Sequence, residues 1–195
     1  MKLRNIRQFS IWKKQMLLIC RIQSGALKIY LFATGEPLEE AIVWQCGRAS
    51  GIAQEIAEQG HAEKIREATG LQLSAYFPAA KMAWLLRNGG EERQKRAADG
   101  KLCLGTIDSW LVYKLTGDHA FKTDFSNASR TQLFNLKTLA WDKMICEMFG
   151  IPVCALARVC NSDAVYGATT MEGLFSEPVP ICGVLGDSHA ALFGQ

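Results

Sequence analysis

The sequence predicts an α/β fold. Short apolar runs at residues 41–44, 102–104 and 181–185 are typical of buried strands. Each run is followed by a segment with helical periodicity, and strands that alternate with helices indicate an α/β domain. The chain has 195 residues, of which 49% are hydrophobic. That is enough apolar material for one sizeable core, so we expect a single domain.

The predicted helices take their ends from glycine, proline and aspartate. The segment 48–59 places Ala49, Ile52, Ala53 and Ile56 on one face and ends at Gly60. The same reasoning predicts further helices at 61–68, 78–87, 107–115 and 142–149. We predict a charged helix or loop at 91–100, and a mixture of loop and strand at 121–132.

A carboxylate lies between the last predicted strand and the last predicted helix. Asp187 follows the run 181–185 and Gly186, and it precedes a segment of small residues. Ligands of open α/β sheets bind at the carboxyl ends of strands, where an acid or base for catalysis belongs. An aspartate that only caps the helix N-terminus would look the same in the sequence. The position therefore predicts either a catalytic residue or a helix cap.

The charges are divided unevenly along the chain. Residues 1–33 contain seven basic residues and no acidic one, whereas the net charge of the whole chain is +3. Such a segment suits a truncated or frame-shifted N-terminus, a targeting or membrane-surface arm, or an ordinary helix. The seven cysteines form no Cys-x-x-Cys pair, so we expect no metal site. Their odd number favours a reducing cytoplasm. We expect no nucleic-acid or membrane partner.

Five blocks of residues match the motifs of one protein family in the same order along the chain. They are Thr34–Pro37 with Ala41–Cys46; Tyr76–Asn88 with Pro78, Lys81 and Trp84; Gly105–Leu111 with Leu115–Gly117; Ser126–Thr131 with Leu133–Asn135, Leu139 and Trp141–Asp142; and Gly186–Gln195. Together they resemble the glycerol kinases of the FGGY sugar-kinase family over residues 34–195. The Trp-Gln-Cys and Asn-Ala-Ser-Arg-Thr blocks favour glycerol over a pentulose.

The resemblance implies a ribonuclease-H-like domain of the actin/hexokinase type. It also implies a kinase that transfers phosphate from ATP, with Mg²⁺, to glycerol, and whose intact members can form homo-oligomers. Asp187 matches the general base, Trp44 and Tyr76 match residues that line the glycerol site, and Ser188 can donate a hydrogen bond to the substrate. Lys81 and Trp84 are predicted to be structural, with Lys81 at a helix cap or on a solvated face.

Other features of the sequence depart from the family. We find no Asp-x-Gly-Thr phosphate loop, no second ATP-binding domain, and no Arg-Glu pair near residues 29–33. Residues 1–33 therefore count as non-matching, and residues 34–195 as part of an N-terminal domain that lacks its first strands. We expect this fragment to be inactive or nearly so, and we assign no residue to ATP or to a metal.

Two other functions stay open. The chain could be a non-catalytic module or partner of an intact kinase, or part of a kinase for another polyol or sugar. A hydrolase with Ser188 as nucleophile is disfavoured, because the adjacent His189 would point elsewhere and no other histidine is an identifiable base.

Overall fold

A computed structural model describes residues 10–12, 15–19 and 27–195. The described helices are α1 Ser50–Glu58, α2 Ala62–Thr69, α3 Pro78–Asn88, α4 Gly90–Ala98, α5 Ile107–Leu115, α6 Phe125–Ala128, α7 Lys143–Phe149 and α8 Asp187–Phe193, with a 3-10 turn at Val153–Ala155. The described strands are β1 Ser10–Trp12, β2 Gln15–Ile19, β3 Leu27–Leu31, β4 Leu102–Thr106, β5 Lys122–Asp124, β6 Phe134–Asn135, β7 Ala140–Trp141, β8 Arg158–Cys160, β9 Gly167–Thr169 and β10 Val179–Leu185.

The largest described sheet has four strands in the order β1, β2, β10, β9. Strand β2 is parallel to β10, with Ile19 opposite Leu185. Strand β1 pairs antiparallel with β2, and β9 pairs antiparallel with β10. Three two-stranded ladders accompany it: β3 with β4, β5 with β8, and β6 with β7. Strand β5 runs parallel to β8 and ends at Asp124, and Gly186 directly follows the end of β10. The carboxyl ends of these strands supply the site described below.

The structure differs from the sequence analysis before residue 34. It describes three strands there, and β3 pairs antiparallel with β4 from Leu27 opposite Thr106 to Leu31 opposite Leu102. Leu27, Ile29 and Tyr30 are buried. The sequence did not predict this strand, because the segment 1–33 is rich in basic residues and Lys28 lies within the strand. The buried apolar residues on either side of Lys28 nevertheless favour a strand.

The strand expected at residues 41–44 is reduced to a single bridge. Ile42 is buried and pairs with Leu27, whereas Val43 is exposed. The helices agree better with the prediction. Helix α7 begins at the cap Asp142, whose carboxylate accepts a hydrogen bond from the Ile145 amide at 3.1 Å, and it ends at Gly150, which has a positive φ of 66°.

The main core lies where α1, α3 and α7 pack on β3 and β4. Its buried apolar side chains include Ile52 and Ile56 of α1, Leu85 and Leu86 of α3, and Phe149 of α7. A second cluster, formed by residues such as Val112, Tyr166 and Ile181, packs beneath β10. No helix in the part of the chain that the structure describes is long and apolar enough to cross a membrane. The two clusters support β10, which leads into Asp187, and α3, which begins two residues after Tyr76.

One buried carboxyl group opposes the stability of the fold. Asp108, in the first turn of α5, is 1% exposed, and the Thr123 hydroxyl donates to its Oδ2 at 2.7 Å. Its Oδ1 has no hydrogen-bond partner among the described residues. Burial, and to a smaller degree the charge of Asp124, raises the pKa of Asp108 to about 6.

We expect Asp108→Asn to stabilise the protein at pH 7 by about 3 kcal/mol. The folded pKa of about 6 lies above the unfolded value of about 3.9, so between these pH values the folded state binds more protons. The free energy of unfolding contributed by this group therefore falls as the pH rises from about 4 to 6. Asparagine removes that loss and keeps an acceptor for Thr123.

Urea unfolding between pH 4 and 7.5 measures this effect, with the exposed Asp118→Asn as a control. A wild-type slope against pH that is unchanged in Asp108→Asn contradicts the assignment.

Candidate active site

Asp187 opens the last helix of the structure. Strand β10 ends at Leu185, Gly186 occupies the N-cap with extended backbone angles, and Asp187 is the first residue of α8. The prediction of Asp187 as the N-cap is therefore wrong by one residue, because the extended residue that precedes the helix is Gly186. The carboxylate instead accepts a hydrogen bond at Oδ1 from the Ser188 amide at 2.8 Å. Its Oδ2 accepts none from any residue that the structure describes.

A chain of hydrogen bonds holds the backbone just before Asp187. The Gly186 amide donates to Ser126 Oγ at 2.8 Å, and Ser126 Oγ donates to Asp124 Oδ2 at 2.5 Å. The Asp124 carboxylate is fully buried and also accepts hydrogen bonds from Asn127 and Ser162. A buried carboxylate with this many donors is well satisfied and rigid. It fixes the point at which the chain enters α8.

Sequence reasoning missed the part played by Asp124. The residue lies within the stretch predicted as loop and strand, at the end of β5, and it caps α6 by accepting from the Ser126 and Asn127 amides. The local signal was the aspartate itself, because aspartate is one of the residue types preferred at a helix N-cap. The link to Gly186 spans 60 residues and leaves no local signal.

A cleft of about 460 Å³ opens beside Asp187. Tyr76, Asp187 and Ser188 line it together, with polar neighbours that include Asn127 and Arg130. The structure thus brings three of the four predicted site residues to one cleft. The charged and polar lining suits a small hydrophilic ligand better than an apolar one.

Trp44 lies next to this cleft. It lines a neighbouring cleft of about 400 Å³, which Tyr76 also lines. The rings of Trp44 and Tyr76 are tilted against each other with their centroids 5.3 Å apart, a distance typical of contacting aromatic side chains. Tyr76 therefore connects Trp44 to the cleft that contains Asp187.

Lys81 is buried and supports both aromatic residues, contrary to the prediction of a cap or a solvated position. Its side chain is 0% exposed. The ammonium donates to the carbonyl oxygens of Trp44 at 3.2 Å and Tyr76 at 2.7 Å, and also to that of Ala75. Burial lowers the pKa of Lys81 to about 8, so the group is still mainly protonated at pH 7 and has three donors for three acceptors. Trp84, in contrast, packs against the core as predicted.

Ser188 is exposed, and its neighbour is a carboxylate. Its Oγ lies 3.5 Å from Asp187 Oδ1, at the outer limit of a hydrogen bond. A nucleophilic serine requires a base such as histidine within about 3 Å. The geometry favours Ser188 as a donor to a ligand and disfavours the hydrolase.

The candidate ligands for a metal ion in this site are single side chains and not a cluster. Among residues 10–12, 15–19 and 27–195 no group of three or more histidine, cysteine, aspartate or glutamate side chains could hold one. A magnesium ion that arrives with a nucleotide keeps water and phosphate oxygens and needs only one or two carboxylates. The open Oδ2 of Asp187 fits that smaller requirement as well as it fits the proton of a hydroxyl group.

Comparison with known proteins identifies the family of this chain. The sequence matches the N-terminal domain of the FGGY family of carbohydrate kinases over residues 4–194, which includes most of the segment 1–33. Similar proteins include the glycerol kinase of Symbiobacterium thermophilum, 50% identical over 162 residues, and that of Carboxydothermus hydrogenoformans, 48% identical over 162 residues. Each alignment covers 83% of this chain and 32% of the relative. The chain spans about a third of the length of these relatives.

The fold agrees with solved kinases. The crystal structure of Plasmodium falciparum glycerol kinase with ADP superposes with a TM-score of 0.82 at 31% identity, covering 88% of this chain and 34% of that one. A xylulose kinase from Lactobacillus acidophilus gives 0.75 at 24% identity, covering 88% of this chain and 34% of that one, a likeness of fold alone. The prediction of an actin/hexokinase-type α/β domain is confirmed. The chain belongs to the FGGY family of carbohydrate kinases.

Proposed function

We propose that this chain forms the acceptor-binding part of a glycerol kinase, which phosphorylates glycerol to glycerol 3-phosphate at the expense of ATP. The observation that carries the proposal is the open Oδ2 of Asp187 in a polar cleft shared with Tyr76. The sequence relatives at about half identity, which are named glycerol kinases, support glycerol as the acceptor.

Asp187 would act as the general base. A glycerol hydroxyl bound at Oδ2 loses its proton to the carboxylate as its oxygen forms a bond to the terminal phosphorus of ATP. The bond between that phosphorus and the oxygen of the departing ADP breaks in the same step. In phosphoryl transfer the base mainly orients the hydroxyl and takes its proton late, so one carboxylate suffices.

The other residues would position the glycerol. In this proposal the phenol of Tyr76 and the hydroxyl of Ser188 hydrogen-bond substrate oxygens, and the indole of Trp44 packs on the carbon chain. Lys81 holds the backbone of Trp44 and Tyr76. Asp124 and Ser126 hold the backbone that leads into Asp187.

Mg²⁺, when bound with ATP, would neutralise the charge of the phosphates. We assign no described residue to the adenosine diphosphate part of the nucleotide. For this reason we also propose that the chain by itself binds glycerol and transfers phosphate slowly or not at all.

Glycerol binding tests the proposal. We expect saturation-transfer NMR to detect binding of glycerol to the wild-type chain, and we expect Trp44→Ala to weaken the affinity by about two- to tenfold through loss of the indole contact. Phe193→Ala, at an aromatic residue that is 83% exposed and outside both clefts, is the matched control.

Xylulose, measured in parallel, tests the alternative of another sugar. Binding of xylulose but not glycerol would overturn the choice of acceptor. Absence of binding by the folded chain to either ligand would contradict the proposed site.

A further inference from the structure

The cleft beside Asp187 contains an arginine whose guanidinium has no hydrogen-bond or ion-pair partner among the described residues. Arg130 is half-buried and lines this cleft. Its guanidinium carbon lies 5.1 Å from the centroid of the Phe77 ring, a cation–π contact that leaves the N–H groups free. Its donors are therefore available to a ligand.

The position of Arg130 is fixed from two sides. Its amide donates to the Asn127 carbonyl at 3.1 Å, and the next residue, Thr131, accepts from the Ala79 amide of α3 at 3.0 Å. On the side-chain face, Phe77 packs edge-on against Tyr76 with ring centroids 5.0 Å apart. The guanidinium thus stands at the end of an aromatic row that begins at Trp44. A donor held in this way loses little conformational entropy when it binds a ligand.

The negative charge of Asp187 makes a nearby cation such as Arg130 favourable for phosphate binding in this cleft. A phosphate group that approaches a hydroxyl bound at Asp187 would meet the negative charge of the carboxylate. Arginine stays protonated at any ordinary pH, and its planar fork of donors matches two oxygens of a phosphate. Arg130 lines the same cleft as Asp187 without pairing with it, so its charge can offset that repulsion.

We propose that Arg130 binds the phosphate oxygens of the phosphate monoester product, and of the phosphoryl group as it is transferred. This inference rests on the proposed function and deepens it, because it divides the cleft into two parts. Asp187 and Tyr76 contact the polyol, and Arg130 contacts the phosphate.

Binding measurements on the full chain test the division. Glycerol, glycerol 3-phosphate and inorganic phosphate are titrated into the wild-type chain, Arg130→Gln and Arg130→Lys. We expect Arg130→Gln to weaken glycerol 3-phosphate binding by about 10- to 100-fold, the loss typical of hydrogen bonds to a charged group, and to change glycerol binding by less than about twofold. Arg130→Lys keeps the charge but loses the fork, so its affinity for glycerol 3-phosphate should be intermediate.

Arg158→Gln is the matched control. Arg158 is an exposed arginine of β8 outside the cleft, and its guanidinium also has no hydrogen-bond or ion-pair partner among the described residues. Its replacement should leave all three affinities unchanged, and the melting temperatures of all variants should agree with that of the wild type.

The outcomes separate the two proposals. Binding of glycerol 3-phosphate or inorganic phosphate that depends on Arg130, with no binding of glycerol, would support the phosphate site and contradict glycerol as the acceptor. Equal weakening of glycerol and glycerol 3-phosphate in Arg130→Gln would overturn the phosphate role. An unchanged affinity for glycerol 3-phosphate, or no binding of either phosphate compound by the wild type, would overturn it as well.

Discussion

Replacement of Lys81 by methionine should lower the free energy of unfolding by about 3 kcal/mol and the melting temperature by about 6–12 °C. The ammonium is buried and donates to three backbone carbonyls, those of Trp44, Ala75 and Tyr76. Methionine has nearly the same length but no donor. Three acceptors would lose their partner in a place that water reaches poorly, and a buried polar group left unpaired costs about 1–3 kcal/mol.

The same substitution should weaken glycerol binding, because the Trp44 and Tyr76 backbones lose their common anchor. Thermal unfolding followed by circular dichroism, together with the NMR titration, measures both effects. Lys64→Met replaces an exposed lysine of α2 and should change the unfolding free energy by less than about 0.5 kcal/mol. If Lys81→Met were as stable as Lys64→Met, the three hydrogen bonds would not support the fold.

Local sequence signals predicted most helices. Helix α3 begins at Pro78, which suits the first helical turn, and α2 ends before Gly70, which has a positive φ of 71°. The ends of these helices depend on one or two residues and on the periodicity of their neighbours. Such signals lie within a few positions of each other and can be read from the sequence directly.

The errors involve contacts between distant parts of the chain. Strand β3 is defined by pairing with β4, about 75 residues later. The local sequence around Lys28 contains no signal that predicts this pairing. Lys81 is buried because the carbonyl of Trp44, 37 residues earlier, accepts from it. The sequence shows the lysine but not the acceptors, so a solvated position was the natural expectation.

The sequence could predict where the candidate site lies, but not the buried residues that hold its backbone in place. Asp187 follows an apolar strand, and a residue at that place lies at the carboxyl edge of a sheet whatever the rest of the fold. The resemblance to known motifs added Trp44, Tyr76 and Ser188. The buried Asp124 and its link through Ser126 became visible only in three dimensions. Arg130 was visible in a motif, but its free guanidinium was not.

Replacement of Asp187 by asparagine should slow phosphate transfer by about 10²- to 10⁴-fold while the fold stays intact. A general base contributes about 10²- to 10⁴-fold to a rate, so we expect a loss of that size. Asparagine has almost the same shape, and its side-chain oxygen can still accept the hydrogen bond of the Ser188 amide that Asp187 Oδ1 accepts at 2.8 Å. It lacks the carboxylate that takes the proton, so the loss reports on the chemistry rather than on the packing.

Because the chain spans about a third of its relatives, the test needs a complete kinase. Residues 34–195 can replace the matching segment of the Symbiobacterium thermophilum glycerol kinase, which is 50% identical to this chain over 162 residues. Asp163→Asn, at an exposed aspartate outside the cleft, is the control and should not change the rate.

The rate of phosphate transfer from Mg-ATP to glycerol, measured in this hybrid with and without Asp187→Asn, is the most direct test that Asp187 and its cleft form the acceptor site. We expect the hybrid to phosphorylate glycerol and the Asp187→Asn hybrid to lose at least about 100-fold in rate. A folded hybrid that binds ATP without phosphorylating glycerol, or an Asp187→Asn hybrid within about threefold of its parent, would contradict that account.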